Sequence, residues 1–299
     1  MWYHKNMKIA QGDGVQWIDI ERPTDKDIAW LGKEFGIHPV ILQELKAPSV
    51  RGHVESYKDY LFFIYYFPRY DKDDEASVRA EIDFIVTKHA VITVHYEAIY
   101  DILNKFDVAA YDSSLMLMYR IVQNLIAFQE RQLRHIREKV EAVGREIFHD
   151  KEKEVLEQIT YVKRDVSEYR IIVRLQEPIL HSLLLNGRTF WGKNAEVYLN
   201  DLLGDHLKVV SQIDDYREAI ADFEDTNNQL MNMKTTSVMK TFTSLSFLTF
   251  PFMLLAAIFS MNIPGTPFMN MPGAFWIVTG VIIAGIIALA IYFRKKGWL

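Results

Sequence analysis

Two long stretches without a charged residue dominate the hydrophobic pattern near the C-terminal end of the chain. The first runs from Thr241 to Met261 and the second from Ala274 to Phe293. A helix rises about 1.5 Å per residue, so roughly 20 residues cross a hydrocarbon core of about 30 Å. We therefore predict two membrane-spanning helices, at 241–261 and 274–293, joined by an uncharged external loop at 262–273.

The first 111 residues carry the pattern of a mixed α/β domain. Residues 15–20 (VQWIDI) and 60–70 (YLFFIYYFPRY) predict strands, and residues 81–97 (EIDFIVTKHAVITVHYE) predict a hairpin. Between the first two strands we predict a helix with Thr24 as its N-cap and Gly36 as its stop.

From residue 112 onward apolar residues recur at steps of three and four, which predicts helices. We expect a helical hairpin at 112–192, with a kink at Pro178 and a turn at 184–194 (LLNGRTFWGKN).

A much longer helix is predicted next. Between Ala195 and Pro251 the sequence has no proline and a single glycine. One helix of about 65 residues, roughly 100 Å long, can therefore run to Ser260, with a stalk at 193–240 before the first span. Such a helix needs partners, which indicates a bundle formed between chains.

One face of this helix, which we call the polar stripe, can be followed at steps of three and four residues. It holds Asp225, Asn228, Asn232, Thr236, Met239, Thr243, Ser246, Phe250, Met253 and Ala257. In a symmetric bundle each position becomes a ring, so the stripe predicts a path along the axis that narrows at Met239, Phe250 and Met253. The hydroxyls of Thr243 and Ser246 have a simpler alternative, a hydrogen bond to the carbonyl four residues earlier.

Basic residues flank the two spans on one side. They are Lys234 and Lys240 before the first span, and Arg294, Lys295 and Lys296 in the tail at 294–299. Positive charge stays on the cytoplasmic side. Both termini are therefore expected in the cytoplasm, and the protein in the plasma membrane of a bacterial or archaeal cell.

Composition and motifs exclude several classes. The chain has no cysteine, which excludes thiolate metal sites, and its net charge of −5 argues against nucleic acid. It begins without the apolar region of a signal peptide. We find no Walker motif and no catalytic triad spacing, so we expect neither an ATPase nor another enzyme.

The loop after the first span offers neutral oxygens, from the Asn262 amide and the backbone. Such oxygens suit a hard cation that keeps its water, and Mg²⁺ dehydrates reluctantly. Carboxylate rings would hold a divalent ion too tightly to release it.

The segment IFSMNIP (258–264) resembles the signature of the CorA family of divalent-cation channels, with Ser260 in place of the glycine in Gly-Met-Asn. Further segments that resemble sequences of this family lie at 17–20 (WIDI), 35–45 (FGIHPVILQEL), 55–66, 237–262 and in the final KKGWL. The resemblance implies a funnel-shaped homopentamer with the long helix lining the pore. It places the selectivity ring at Asn262, beside Met261 and Ser260, and pore-lining positions at Asp225, Thr236, Met239, Phe250 and Met253.

The resemblance also implies acidic residues between neighbouring cytoplasmic domains, where internal Mg²⁺ binds and closes the channel. By position these are Glu44 and Asp201. Bound cations would relieve the repulsion of facing acids. Both acids have a simpler alternative as surface residues. Separately from the resemblance, His206 lies about one helical turn from Asp201 and next to Asp205, which makes Asp205 and His206 candidates for additional ligands.

Three departures from the family pattern are present, and one of them is Ala257, where many members have another glycine. Ser260 makes a turn with positive φ harder to form than glycine would. The loop continues as MPGAF without the family's acidic residue. Co²⁺, Ni²⁺ or Zn²⁺ thus stay open beside Mg²⁺. The alternatives are a zinc transporter of the same architecture, with or without proton coupling, and a non-conducting, membrane-anchored helical scaffold.

Overall fold

The computed structural model divides the chain into two compact units, Met1–Glu224 and Asp225–Leu299. The structure describes residues 6–71, 76–99, 103, 107–149, 152–261 and 271–296. The first unit holds a mixed α/β domain, and a long helix that begins there continues into the second unit. The predicted fold class is confirmed in its parts: an α/β domain, a long helix and two candidate membrane helices.

A six-stranded mixed sheet lies at the centre of the first unit. Its order is β1-β2-β6-β5-β4-β3, in which β2 and β6 are parallel and the other neighbours are antiparallel. The strands are β1 Met7–Gln11, β2 Gln16–Glu21, β3 Val54–Ser56, β4 Tyr60–Asp71, β5 Ala76–Thr87 and β6 Ala90–His95. The strands predicted at 15–20 and 60–70 are confirmed.

The predicted hairpin is also confirmed, as strands β5 and β6. The Thr87 hydroxyl oxygen accepts hydrogen bonds from the backbone N–H groups of His89, at 3.2 Å, and Ala90, at 2.8 Å. This side-chain turn closes the connection between the strands. Strand β5 begins earlier than predicted, because it pairs with β4 from Tyr60↔Thr87 to Asp71↔Ala76.

Both faces of the sheet are covered. On one face, alternate strand residues such as Ile18, Ile64 and Ile92 form a core with the first two helices, α1 Asp25–Phe35 and α2 Pro39–Glu44. On the other face, the Phe67 ring packs edge-to-face against Phe128 of α3 Ser114–Glu146. A sheet buried on both sides needs apolar residues at successive positions, which is why β4 is a continuous aromatic and aliphatic run.

The helix caps follow the sequence closely. Thr24 and Asp27 form a capping box at the start of α1, and Gly36 ends that helix with a φ of 64°. The Ser113 hydroxyl caps α3 by accepting from the N–H of Met116. Both caps of α1 predicted from sequence are confirmed.

Two predictions in the following segment are wrong. The chain forms two helices, α4 Glu152–Arg174 and α5 Glu177–Trp191, instead of one helix kinked at Pro178. Proline lacks an N–H and fits the first turn of α5, where that donor is not needed. The predicted turn at 184–194 is helical up to Trp191, and the chain turns only at Gly192, with a φ of 98°.

The long helix, α6 Ala195–Ser260, spans 66 residues and contains Pro251. Its predicted bounds are confirmed. The last described helix is α7 Ala274–Lys295. Both α6 and α7 are long and apolar enough to cross a membrane.

Candidate functional site

Apart from the half-buried Ser246, the residues of the polar stripe are exposed along the part of α6 in the second unit. Its large side chains Met239, Phe250 and Met253 are 65%, 63% and 60% exposed in the single chain. Asp225, Thr236 and Thr243 are exposed as well. Large apolar side chains exposed to this extent are covered by lipid or by other chains in a stable membrane protein.

The simpler interpretation of the stripe hydroxyls is confirmed for Ser246. Its Oγ donates to the carbonyl of Phe242, four residues earlier, at 3.0 Å. Thr249, next to the stripe, donates to the carbonyl of Leu245 at 3.0 Å. These hydroxyls therefore satisfy their hydrogen bonds within the helix while their oxygen atoms can still accept from water.

The end of α6 carries the signature-like tripeptide. Ser260 is the last helical residue, and the N–H of Met261 donates to the carbonyl of Ile258 at 3.2 Å. Among the described non-glycine residues only Arg22 has a positive φ. Ser260 therefore bears no strain of the kind expected from its replacement of glycine. Asn262, the predicted selectivity residue, lies outside the described residues.

Glu44 is the last residue of α2 and is partly buried. One carboxylate oxygen accepts from the Ser49 hydroxyl at 3.2 Å, and the other lies 3.6 Å from His53 Nε2. The same ring nitrogen lies 3.4 Å from Glu55. Glu44 is thus held by groups of its own chain on both oxygens.

Beneath Ser49 lies a buried carboxyl pair that the sequence analysis missed. The Ser49 N–H donates to both oxygens of Glu81, at 2.9 and 3.0 Å, and the Tyr96 hydroxyl donates to Asp83 at 2.9 Å. Burial, and then the neighbouring Glu81 charge, raise the pKa of Asp83 well above its ordinary value. The signal in the sequence is the pair of acids two apart in EIDFIV, since such residues share one face of a strand.

Asp201 and Asp205 lie on the outer side of α6 in the first unit. Asp201 accepts a hydrogen bond of 2.6 Å from the hydroxyl of Tyr119 in α3. Asp205 pairs with Lys208 at 2.7 Å. Residues four apart share one side of a helix, so α6 presents the two carboxylates together.

His206 faces the interior of the first unit. It is fully buried, and neither ring nitrogen has a hydrogen-bond partner among the described residues. Burial lowers the pKa of His206 to about 4, so the imidazole is neutral at cellular pH. The fold therefore separates His206 from the carboxylates next to it in sequence.

The described part of a single chain forms no group of three or more His, Asp or Glu residues that could hold a metal ion. Mg²⁺ prefers six oxygen ligands. The described residues of one chain therefore do not complete such a ligand set at Glu44 or Asp201.

A mixed α/β domain, one long helix and two helices apolar enough to cross a membrane indicate a membrane protein. The chain belongs to the CorA family: the model described as CorA-like Mg2+ transporter protein matches residues 12–295. It is a transporter of divalent cations and not an enzyme.

Known relatives cover nearly the whole chain. The cobalt/magnesium transport protein CorA of Thermotoga maritima is 23% identical over 292 residues, covering 95% of this chain and 83% of the relative. The protein of that name from Methanocaldococcus jannaschii is 22% identical over 291 residues, covering 95% and 91%. The complete structure of the Methanocaldococcus jannaschii CorA magnesium transporter matches with a TM-score of 0.83 at 22% identity, covering 95% of this chain and 92% of that chain.

Proposed function

We propose that this protein is a homopentameric channel that admits Mg²⁺ passively into the cell, with Co²⁺ and Ni²⁺ as further substrates. The observation that carries the proposal is the polar stripe, a row of amide, hydroxyl and thioether side chains at helical spacing along one helix, α6. Apolar side chains on the other faces of this part of α6, such as Phe242 and Leu254, are exposed as well and would meet lipid or other helices. Five copies of α6 around an axis would turn each position of the stripe into a ring and line a path with it. The names of the relatives, cobalt/magnesium transport proteins, support the choice of ions.

Entry of the ion needs no ATP in this proposal. Two charges crossing an inside-negative potential of 100 mV gain roughly 4.6 kcal/mol, at about 2.3 kcal/mol per charge. A ring of Asn262 amides at the outer end would accept the hydration shell of Mg²⁺ through neutral oxygens. Weak binding of this kind lets the ion leave as well as enter.

Closure by internal divalent cation is the second part of the proposal. Asp201 and Glu44 would supply carboxylates between neighbouring copies, with Asp205 nearby. The exposure of Asp201, and the lack of a three-ligand group in the described part of one chain, support a site completed by a second copy. A bound cation would offset the repulsion between acids that face each other.

The proposed topology puts both termini in the cytoplasm of a bacterial or archaeal cell. Residues 1–111, 112–192 and 193–240 would form the internal domain, hairpin and stalk, 262–273 the external loop, and 294–299 a basic internal tail. The basic residues beside the two spans support this orientation.

Flux into liposomes tests the function. Purified protein is offered Mg²⁺, Co²⁺, Ni²⁺ and Zn²⁺ in turn, and the Asn262→Ala variant is compared with the wild type. We expect potential-driven Mg²⁺ flux that falls in the variant. Absence of flux for every ion would support a scaffold, and Zn²⁺ flux that follows a pH gradient would support a proton-coupled zinc transporter.

A further inference from the structure

Four side chains, three on α3 and one on α6, are linked in series by hydrogen bonds, and the series ends on the carboxylate of Asp201. Arg120 Nη1 donates to Gln123 Oε1 at 2.7 Å, and Gln123 Nε2 lies 3.1 Å from the Tyr119 hydroxyl. That hydroxyl lies 2.6 Å from Asp201 Oδ2. The other Asp201 oxygen, Oδ1, is not used by this chain of bonds.

The direction of the hydrogen bonds is fixed from both ends, because the Arg120 guanidinium only donates and the Asp201 carboxylate only accepts. A guanidinium has donors and no acceptor, so Gln123 must turn its carbonyl oxygen toward Arg120. The amide nitrogen of Gln123 therefore faces Tyr119 and donates to the phenol oxygen. The phenol hydrogen is then free to go only to Asp201.

Tyr119 is held rigidly enough to position its partner. It is 8% exposed, and its ring packs edge-to-face against Tyr198, with centroids 5.3 Å apart. An ionised carboxylate has acceptors and no donor, so the hydroxyl of Tyr119 is the donor in its hydrogen bond to Asp201.

We propose that Tyr119 is a positioning residue of the cation sensor, which fixes the Asp201 carboxylate through one oxygen and presents the other to a divalent cation at the subunit boundary. The inference rests on the proposed role of Asp201 in closure. A free aspartate must lose rotational freedom when it binds an ion, whereas one already held in place loses less. Arg120 and Gln123 act one step further back, by holding the phenol oxygen in place through the Gln123 amide.

The test compares hydroxyl deletions on two neighbouring rings. Tyr119→Phe removes the hydroxyl that touches Asp201, and Tyr198→Phe removes one from the ring packed against it. Full-length protein in liposomes is titrated with internal Mg²⁺, and the half-closing concentration is measured relative to each variant's own flux without internal Mg²⁺. Gln123→Leu is a second variant, at a partly exposed position that does not depend on removing a buried group.

We expect Tyr119→Phe to raise the half-closing concentration roughly three- to tenfold, Gln123→Leu to raise it less, and Tyr198→Phe to leave it unchanged. In an Asp201→Ala background, Tyr119→Phe should add nothing, which a merely structural effect on the fold would not produce. An unchanged or lower half-closing concentration in Tyr119→Phe, with Asp201→Ala still shifted, would overturn this inference alone. If Asp201→Ala itself is not shifted, the proposed sensor and this inference both fail.

Discussion

Gly285 of α7 lies directly against the ring of Phe252 of α6: a Cβ atom at position 285 would come within 2.4 Å of Phe252 Cε1. Both residues belong to the second unit. Small residues let membrane helices approach closely, so the contact depends on the absence of a side chain at 285. Gly280 on the same helix has nothing within 4 Å of the corresponding position.

We therefore expect Gly285→Ala to destabilise the pair of spans by about 1–3 kcal/mol, the usual range for an overpacked contact. Gly280→Ala is the matched control and should not lower stability. The measurement is the thermal unfolding midpoint of the purified protein in detergent. In a Phe252→Ala background Gly285→Ala should cost little more than Gly280→Ala, because the clashing ring is gone. Equal midpoints for the two glycine variants with Phe252 in place would show that this contact is not tight.

The buried Asp83 predicts a dependence of stability on pH. Its pKa is raised in the fold by burial and by Glu81, so its contribution is intact below the unfolded pKa and is lost as pH rises through the folded one. Asp83→Asn mimics the protonated acid and removes this loss. As pH rises from 5 to 8, the thermal unfolding midpoint of the variant should increase relative to that of the wild type. A constant difference over that range would mean that Asp83 is ionised throughout.

His206 predicts the opposite dependence. Burial lowers its pKa from 6.5 to about 4, so its contribution is present above pH 6.5 and is lost as pH falls toward the folded value. By pH 4 the loss amounts to about 3 kcal/mol at 1.36 kcal/mol per unit. The His206→Leu variant should not show this loss of stability when thermal unfolding midpoints at pH 8 and pH 4.5 are compared. The prediction would be contradicted if the midpoints of the wild type and the variant fell by the same amount between pH 8 and pH 4.5.

Asp201→Ala should raise the internal Mg²⁺ needed for closure by roughly tenfold or more, because a carboxylate ligand of a hard cation is removed. Glu218→Gln changes an exposed acid on the same helix and serves as the control. Liposome flux against internal Mg²⁺ gives the comparison. Unchanged inhibition in Asp201→Ala would remove this residue from the sensor.

The long helix and the caps of α1 could be predicted from sequence because they depend on local chemistry. No proline occurs in the first 56 residues of α6, before Pro251, and Thr24 and Gly36 are typical cap residues. The same local rules failed around α5. Pro178 fits a first helical turn. Gly187 lies inside α5, where a Cβ would come within 2.5 Å of Leu199 Cδ1, so this glycine permits close packing instead of forming a turn. A close contact of this kind depends on a residue that sequence spacing does not reveal.

The candidate site was predictable to the same extent. The polar stripe follows from helical spacing, since its residues belong to one helix. The hydrogen bond from Tyr119 to Asp201 joins residues 82 positions apart, and the hydrogen bond from the Ser49 N–H to Glu81 joins residues 32 positions apart. Both depend on how the sheet and helices pack, so they could be found only in the structure.

The central claim is that the polar stripe lines the path of the ion, and the absence of cysteine from the chain makes a direct measurement practicable. Met253→Cys places a thiol on the stripe, and Leu255→Cys places one about 200° further round the same helix. A charged, water-soluble thiol reagent is added during Mg²⁺ flux into liposomes without internal Mg²⁺. The account predicts that the reagent blocks flux through Met253→Cys and spares Leu255→Cys. Block of Leu255→Cys alone, or full flux through modified Met253→Cys, would contradict it.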